Sequence, residues 1–210
     1  MEFVIDLATE MGLEWSRILF LGLVVLLVAQ RLLEMRHSQR NEARMRAKGG
    51  REHAPKHFAL MKFVHTAWFV AMIVEVFWFD RRLESGFDWA VAGGALCMTV
   101  LGQLLRYSAI RTLGERWSVR IYTVPDAPAV NGGIYRFVRH PNYLGVILEI
   151  AAVPMLHHAY LTAIVFSVAN AIVLYIRIGA EEQALREENE YHSRLGQQPR
   201  FLPGSGSSRD

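Results

Sequence analysis

Apolar residues collect in five runs along the chain, at about 18–33, 60–79, 89–105, 143–157 and 160–178, with the polar residues gathered between them. A spanning helix needs about 20 predominantly apolar residues, so the first and fourth runs are short and the other three approach or meet that length. In lipid a backbone must satisfy its own hydrogen bonds, which leaves helices and closed barrels as the spanning structures. The pattern therefore predicts an all-α fold, a multi-pass membrane helical bundle with about five transmembrane helices.

Composition agrees, since 52% of the 210 residues are hydrophobic. The single cysteine, Cys97, lies in an apolar run and reads as a small core residue. Residues 1–15 carry Glu2, Asp6, Glu10 and Glu14 but no Lys or Arg, which does not resemble a cleavable signal. Basic residues crowd two connections. Arg36, Arg40, Arg44, Arg46, Lys48, Arg51 and Lys56 lie between the first and second runs, and Arg106, Arg111, Arg116, Arg120, Arg136 and Arg139 between the third and fourth. The second-to-third connection holds only Arg81 and Arg82, and the turn at 154–159 holds none. The positive-inside rule then puts the N-terminus outside, and both long connections and the C-terminus in the cytoplasm. Basic clusters beside spanning runs point to anionic membrane lipid as a partner and away from nucleic acid. No metal-ligand spacing stands out, and His157-His158 reads as interfacial, in the outer turn.

Three regions are expected: a three-helix membrane region at 1–105; a core at 106–203 with a cytoplasmic cofactor loop, a two-helix hairpin and a C-terminal cytoplasmic helix; and a flexible Gly/Ser-rich tail at 204–210. The chemistry gathers in the core. Pro141 suits the first position of a helix, because its missing N–H has no intrahelical partner there. Before it, Asn131-Gly132-Gly133 permits a tight turn that brings Tyr135 towards His140, and Tyr143 follows in the first helical turn. At the far end of the fifth run, Arg177 and Glu181 are four residues apart on one helix face, with Glu182 about 100° away. A hairpin of spanning helices returns the chain to its starting side, so the two polar clusters can share one surface. Taken alone, the acidic residues beyond Glu181 read as a solvated run.

The combination of Gly133, Tyr135, Arg139-His140-Pro141, Tyr143 and Gly145 with Arg177 and Glu181-Glu182 resembles the isoprenylcysteine carboxyl methyltransferase family, including its bacterial alkylpyrone O-methyltransferase-like members. Tyr191 and the ending Pro199-Arg200-Phe201-Leu202-Pro203 are similar to that family's tail. The resemblance implies S-adenosyl-L-methionine as methyl donor in a cytoplasm-facing pocket, with a lipid-like or prenylcysteine acceptor entering from the bilayer. It carries Val130, Tyr135, His140, Pro141, Asn142, Tyr143, Glu181 and Glu182 over as donor-binding residues. Arg177 then orients the acceptor, with Arg139 as second candidate. Upstream of Gly133 the sequence Asp126-Ala127-Pro128-Ala129 departs from the family pattern, so only Val130 carries over there. Methyl transfer from a sulfonium needs a desolvated nucleophile in line with the methyl carbon more than it needs a metal, and no metal site is inferred.

Polar residues inside the runs are site candidates because they are costly in lipid: His65, Glu75, Gln103, Glu149 and Asn170. Glu75 lies near the outer end and is set aside. Glu149, about 9 Å along the helix from Tyr143, is either an acceptor contact or an interhelical hydrogen-bond partner. Trp68, Trp78 and Trp89 read as interface anchors and core. The function expected is an integral-membrane O-methyltransferase acting on an isoprenylcysteine carboxylate or an alkylpyrone-like polyketide lipid, with no obligate protein partner inferred. The rivals are a phospholipid N-methyltransferase and a non-catalytic scaffold or transporter.

Overall fold

The computed structural model describes residues 14–188, 195 and 198–201. Helix α1 (Trp15–Ala47) is followed by strand β1 (Arg51–His53), α2 (Pro55–Trp78), α3 (Gly86–Leu113), β2 (Ile121–Thr123), a 3₁₀ turn (Gly133–Arg136), α4 (Pro141–Met155) and α5 (Tyr160–Glu188). Four of these helices are long and apolar enough to cross a membrane: α1, α2, α3 and α5. Helix α4 differs. Its 15 residues span about 22 Å, short of a hydrocarbon layer about 30 Å thick. Of the two runs expected to be short, the first belongs to a long helix and the fourth stays short, and the reason is position. No residue of α4 is exposed, so its surface is covered by protein and its length is not set by the bilayer.

Local chemistry sets the helix ends. Ser85 and Asp88 form a capping box at the start of α3, and Pro55 and Pro141 occupy first-turn positions in α2 and α4. Helix α5 begins without a serine or aspartate cap. Instead the buried Glu75 carboxylate, from the end of α2, accepts from the backbone N–H of Leu161 (3.1 Å) and of Thr162 (2.7 Å) and from the Thr162 hydroxyl. Glu75, set aside on its position, is the cap of α5 and pairs with Arg81. The same end of the bundle holds Ser16, bonded to buried His157, and Asp88, paired with His158. These histidines are therefore packed inside the turn, buried by their neighbours.

The core joins α1, α2 and α4: Phe20, Val24 and Leu27 pack with Trp68, Met72 and Val76 and with Val146, Ile150 and Val153. Large apolar side chains such as Leu19, Phe63, Leu101, Leu104 and Ile164 point outward, as lipid-facing residues must. Cys97 is among the exposed residues, which corrects its reading as core: on α3 it lies on the lipid-facing side. At the opposite end β1 and β2 pair antiparallel, with Glu52 opposite Tyr122, and tie the α1–α2 connection to the loop after α3. Helix α3 runs without a break across the expected boundary at 105/106. Arg106 consequently lies inside the bundle, buried, and is not a loop residue.

Helices α3 and α4 cross at two glycines. A Cβ on Gly145 would lie 2.7 Å from the Gly102 carbonyl oxygen and 2.6 Å from Arg106 Cγ, and one on Gly102 would lie 2.9 Å from the Gly145 carbonyl oxygen. Small residues at such a crossing let backbones approach as closely as packing allows. Gly145→Ala should cost about 1–3 kcal/mol, as over-packing does, and lower the unfolding midpoint of the detergent-solubilised protein. Gly22→Ala, with open space around the added methyl, should leave that midpoint unchanged.

Candidate active site

The site is built where the 3₁₀ turn, the start of α4 and the end of α5 meet. Gly133 has φ +53° and its missing Cβ would fall 2.5 Å from Thr112 Oγ1, so only glycine lets the turn close onto the last turn of α3. That closure buries Tyr135 against Ala109, Ala129 and Leu195. Burial, with Glu181 and Tyr143 nearby, pushes the Tyr135 hydroxyl well above the usual phenol range, so it remains a neutral O–H. The chain then runs past Arg139 and His140, whose backbone N–H groups donate to the carbonyls of Pro199 (2.9 Å) and Arg200 (3.1 Å). Helix α4 starts at Pro141, as its chemistry predicts.

Tyr143 sits at the centre. Its hydroxyl donates to the Glu181 carboxylate and accepts from Arg177 Nε at 2.8 Å. Arg177 also donates through Nη2 to the Val119 carbonyl at 2.6 Å, while its Nη1 is buried with no partner among the described residues. The Arg177–Glu181 spacing on one helix face thus closes onto α4 through a single phenol. Glu182, one residue on, points elsewhere. It accepts from His140 Nε2 (3.0 Å) and from Arg200 Nη2 (2.7 Å) and Nε (3.0 Å), and lies 3.5 Å from Arg139 Nη1. Phe201 packs over the His140 ring, centroids 6.4 Å apart. Glu182 therefore fastens the 198–201 segment over the start of α4.

A cavity of about 460 Å³ opens from this cluster. Tyr135, Arg139, His140, Asn142, Tyr143, Arg177 and Glu181 line its polar end, and Val28, Leu32, Met61, Phe69 and Val70 line an apolar arm between α1 and α2. Asn142 lines this cavity, and its Oδ1 is buried without a hydrogen-bond partner among the described residues. Of the expected site residues, Val130, Pro141 and Glu182 are not among the cavity-lining ones. Pro141 starts the helix, Glu182 holds the C-terminal segment, and Val130 is half-buried on the approach to the 3₁₀ turn. Arg139 lines the cavity but spends Nε on the Gln198 carbonyl at 2.6 Å. Tyr191 lies outside the described residues.

Glu149 is not a lining residue either; it belongs to a buried ion network. Arg31 binds both Glu34 and Glu149, and Arg106 binds Glu34 and lies 3.3 Å from Glu149 Oε1. Two cations and two anions cancel inside the bundle, which is how charge is carried at that depth. Arg31, Glu34 and Arg106 also face the cavity. The sequence reading missed this group, although Arg31 and Glu34 at i,i+3 within the first apolar run and its margin were the available signal. Gln103, singled out as polar, accepts from Gln30 at 2.7 Å beside it.

Fold and composition define a multi-pass helical membrane protein with a cavity inside the bundle. Residues 95–187 match the isoprenylcysteine carboxyl methyltransferase (ICMT) family. A Bacillus subtilis protein, uncharacterized protein YpbQ, is 36% identical over 169 residues, which cover 80% of this chain and 98% of that protein. Protein-S-isoprenylcysteine O-methyltransferase B of Arabidopsis thaliana is 28% identical over 134 residues, 63% of this chain and 65% of that protein. Among solved structures, the eukaryotic intramembrane Ras methyltransferase ICMT shares the fold, with TM-score 0.53 at 23% identity over 74% of this chain and 56% of that one. The chain belongs to the isoprenylcysteine carboxyl methyltransferase family and is a methyltransferase.

The Glu182 cluster gives a graded expectation. Glu182→Ala leaves His140 and the surrounding arginines without their buried carboxylate and should cost about 3–5 kcal/mol. Arg200→Ala, removing a half-exposed partner, should cost about 1 kcal/mol or less. Thermal unfolding of the two purified variants in one detergent checks the order.

Proposed function

We propose that the protein transfers a methyl group from S-adenosyl-L-methionine to an acidic oxygen at the head of a long apolar lipid. One observation carries this reading: Arg177, whose buried Nη1 has no hydrogen-bond partner among the described residues, lines the same cavity as Glu181, and that cavity continues between apolar side chains of α1 and α2. The residues fit such a donor. Glu181, steadied by the Tyr143 hydroxyl, is an anion for a ligand bearing an ammonium and a sulfonium, and Asn142 Oδ1 offers a free acceptor. When bound, the donor supplies an electrophilic methyl on sulfur. The protein's part is to hold the acceptor oxygen in line and keep water out.

Arg177 suits the acceptor because its guanidinium is already fixed by Tyr143 and Val119 with one N–H face left over. Of the two expected catalytic arginines it is favoured over Arg139, which holds the C-terminal segment. Leu32 and Val70 line the apolar arm and are also 51% and 56% exposed, so a lipid tail has a sideways route between α1 and α2. The acceptor head is either a prenylcysteine carboxylate, as in the name of the Arabidopsis relative, or the hydroxyl of an alkylpyrone-like polyketide lipid. An ammonium head group would be repelled by Arg177, which disfavours phospholipid N-methylation. The basic connections support the orientation in which the α1 N-terminus is outside and the polar end of the cavity faces the cytoplasm.

Calorimetric titration with S-adenosyl-L-methionine tests the assignment. Glu181→Ala should weaken the donor at least about tenfold, the loss of one charge-assisted contact. Arg177→Ala should leave donor affinity within about twofold and lower acceptor kcat/KM by about 100-fold, the size of one lost oxyanion contact. Equal, trivial effects from both substitutions would sink it.

A further inference from the structure

His65 stands in α2, outside the residues that match the family, yet it lines the cavity that holds Tyr143, Arg177 and Glu181. Its Nδ1 lies 2.8 Å from the Met61 carbonyl oxygen, one helical turn back. A carbonyl only accepts, so Nδ1 carries the proton, and in the neutral ring Nε2 is then left with its lone pair. Nε2 has no hydrogen-bond partner among the described residues.

We propose that His65 is the general base for the acceptor, and that the acceptor is accordingly a weakly acidic hydroxyl of phenolic type on a long-chain lipid. This rests on the lipid O-methyltransfer reading above. The chemistry separates the acceptor classes. A carboxylate is ionised near pH 7 and needs no base, whereas a phenol, with an ordinary pKa of about 10, is almost wholly protonated. In the step, His65 Nε2 takes the hydroxyl proton while the O–H electron pair stays on oxygen. That oxygen forms the new bond to the methyl carbon as the carbon–sulfur bond breaks, its electron pair returning to the sulfonium, which leaves as a neutral thioether. The imidazolium gives its proton to water once the product has gone.

Three cations lie around the ring, and like charge favours its neutral form, in which Nε2 keeps its lone pair. Arg31 on α1, Arg106 on α3 and Arg177 on α5 are the groups whose fields reach it. Of the carboxylates in the cavity, Glu34 is taken up by Arg31 and Arg106, and Glu181 accepts from Tyr143. Arg177, with its free Nη1, can steady the oxygen as it loses its proton.

The test uses the full chain in detergent with S-adenosyl-L-methionine and two probe acceptors, pentadecylresorcinol and N-acetyl-S-farnesylcysteine. Wild type should methylate the resorcinol, with kcat falling on the acid side as the imidazole becomes protonated. His65→Gln and His65→Phe should each lose about 100-fold or more in kcat on the resorcinol, the usual contribution of a general base, and lose that acid limb. Donor affinity should be unchanged, and added imidazole should restore part of the activity of His65→Ala. Variants as active as wild type with the same pH profile would overturn the proposal. So would variants that fail only because donor binding is lost. Wild type that methylates farnesylcysteine alone, with the variants matching it, removes the base and the hydroxyl acceptor but leaves lipid O-methyltransfer standing. Wild type that binds donor but methylates neither probe overturns the base and removes the present support for lipid O-methyltransfer. Absence of donor binding by folded wild type takes down both readings together.

Discussion

The contact of Gly102 with Gly145 sets the depth at which α4 lies against α3, and the polar interior follows from that depth. One turn beyond Gly145, Glu149 reaches Arg106; half a turn before it, Tyr143 reaches Glu181 and Arg177. Larger side chains at the crossing would push α4 outward and separate both sets of partners at once. In an interior where water cannot replace a lost partner, such separation would leave several charges exposed to an apolar surrounding. Close backbone approach and buried charge are therefore one constraint expressed at two levels.

The buried polar groups divide into those that hold the bundle and those left free. Glu75 closes the start of α5, the Arg31–Glu34–Arg106–Glu149 set neutralises itself between α1, α3 and α4, and Glu182 secures the C-terminal segment. Arg177 and Asn142, which line one cavity, keep Nη1 and Oδ1 buried and unpartnered among the described residues. Leaving such atoms unmade costs stability in the empty protein, and a ligand that meets them recovers it. The adjacent residues Glu181 and Glu182 show how finely this division is drawn. A rotation of about 100° along α5 gives one carboxylate to the cavity and the other to a structural clasp.

The apolar arm extends the same logic to the lipid side. Its lining comes from α1 and α2, which lie outside the family match, while the polar end comes from the 3₁₀ turn, α4 and α5, inside it.

Read alone, the sequence determined the helical membrane class, the start of α4 at Pro141 and the pairing of the Arg139–Tyr143 stretch with Arg177 and Glu181, because hydropathy, proline geometry and helical spacing are local properties. It also marked Glu149 and His65 as unusual, since polar groups inside apolar runs are visible without a fold. Tertiary structure alone decided what each was for. The separation of Glu181 from Glu182, the pairing of Glu149 with Arg31 and Arg106, the capping role of Glu75 and the lipid-facing position of Cys97 depend on which helix face meets which neighbour. The fourth apolar run is visibly short in the sequence, but its enclosure by other helices, which frees its length from the bilayer, leaves no mark on hydropathy. These outcomes are set by contacts between segments far apart in the chain, and local sequence carries their partners without saying that they meet.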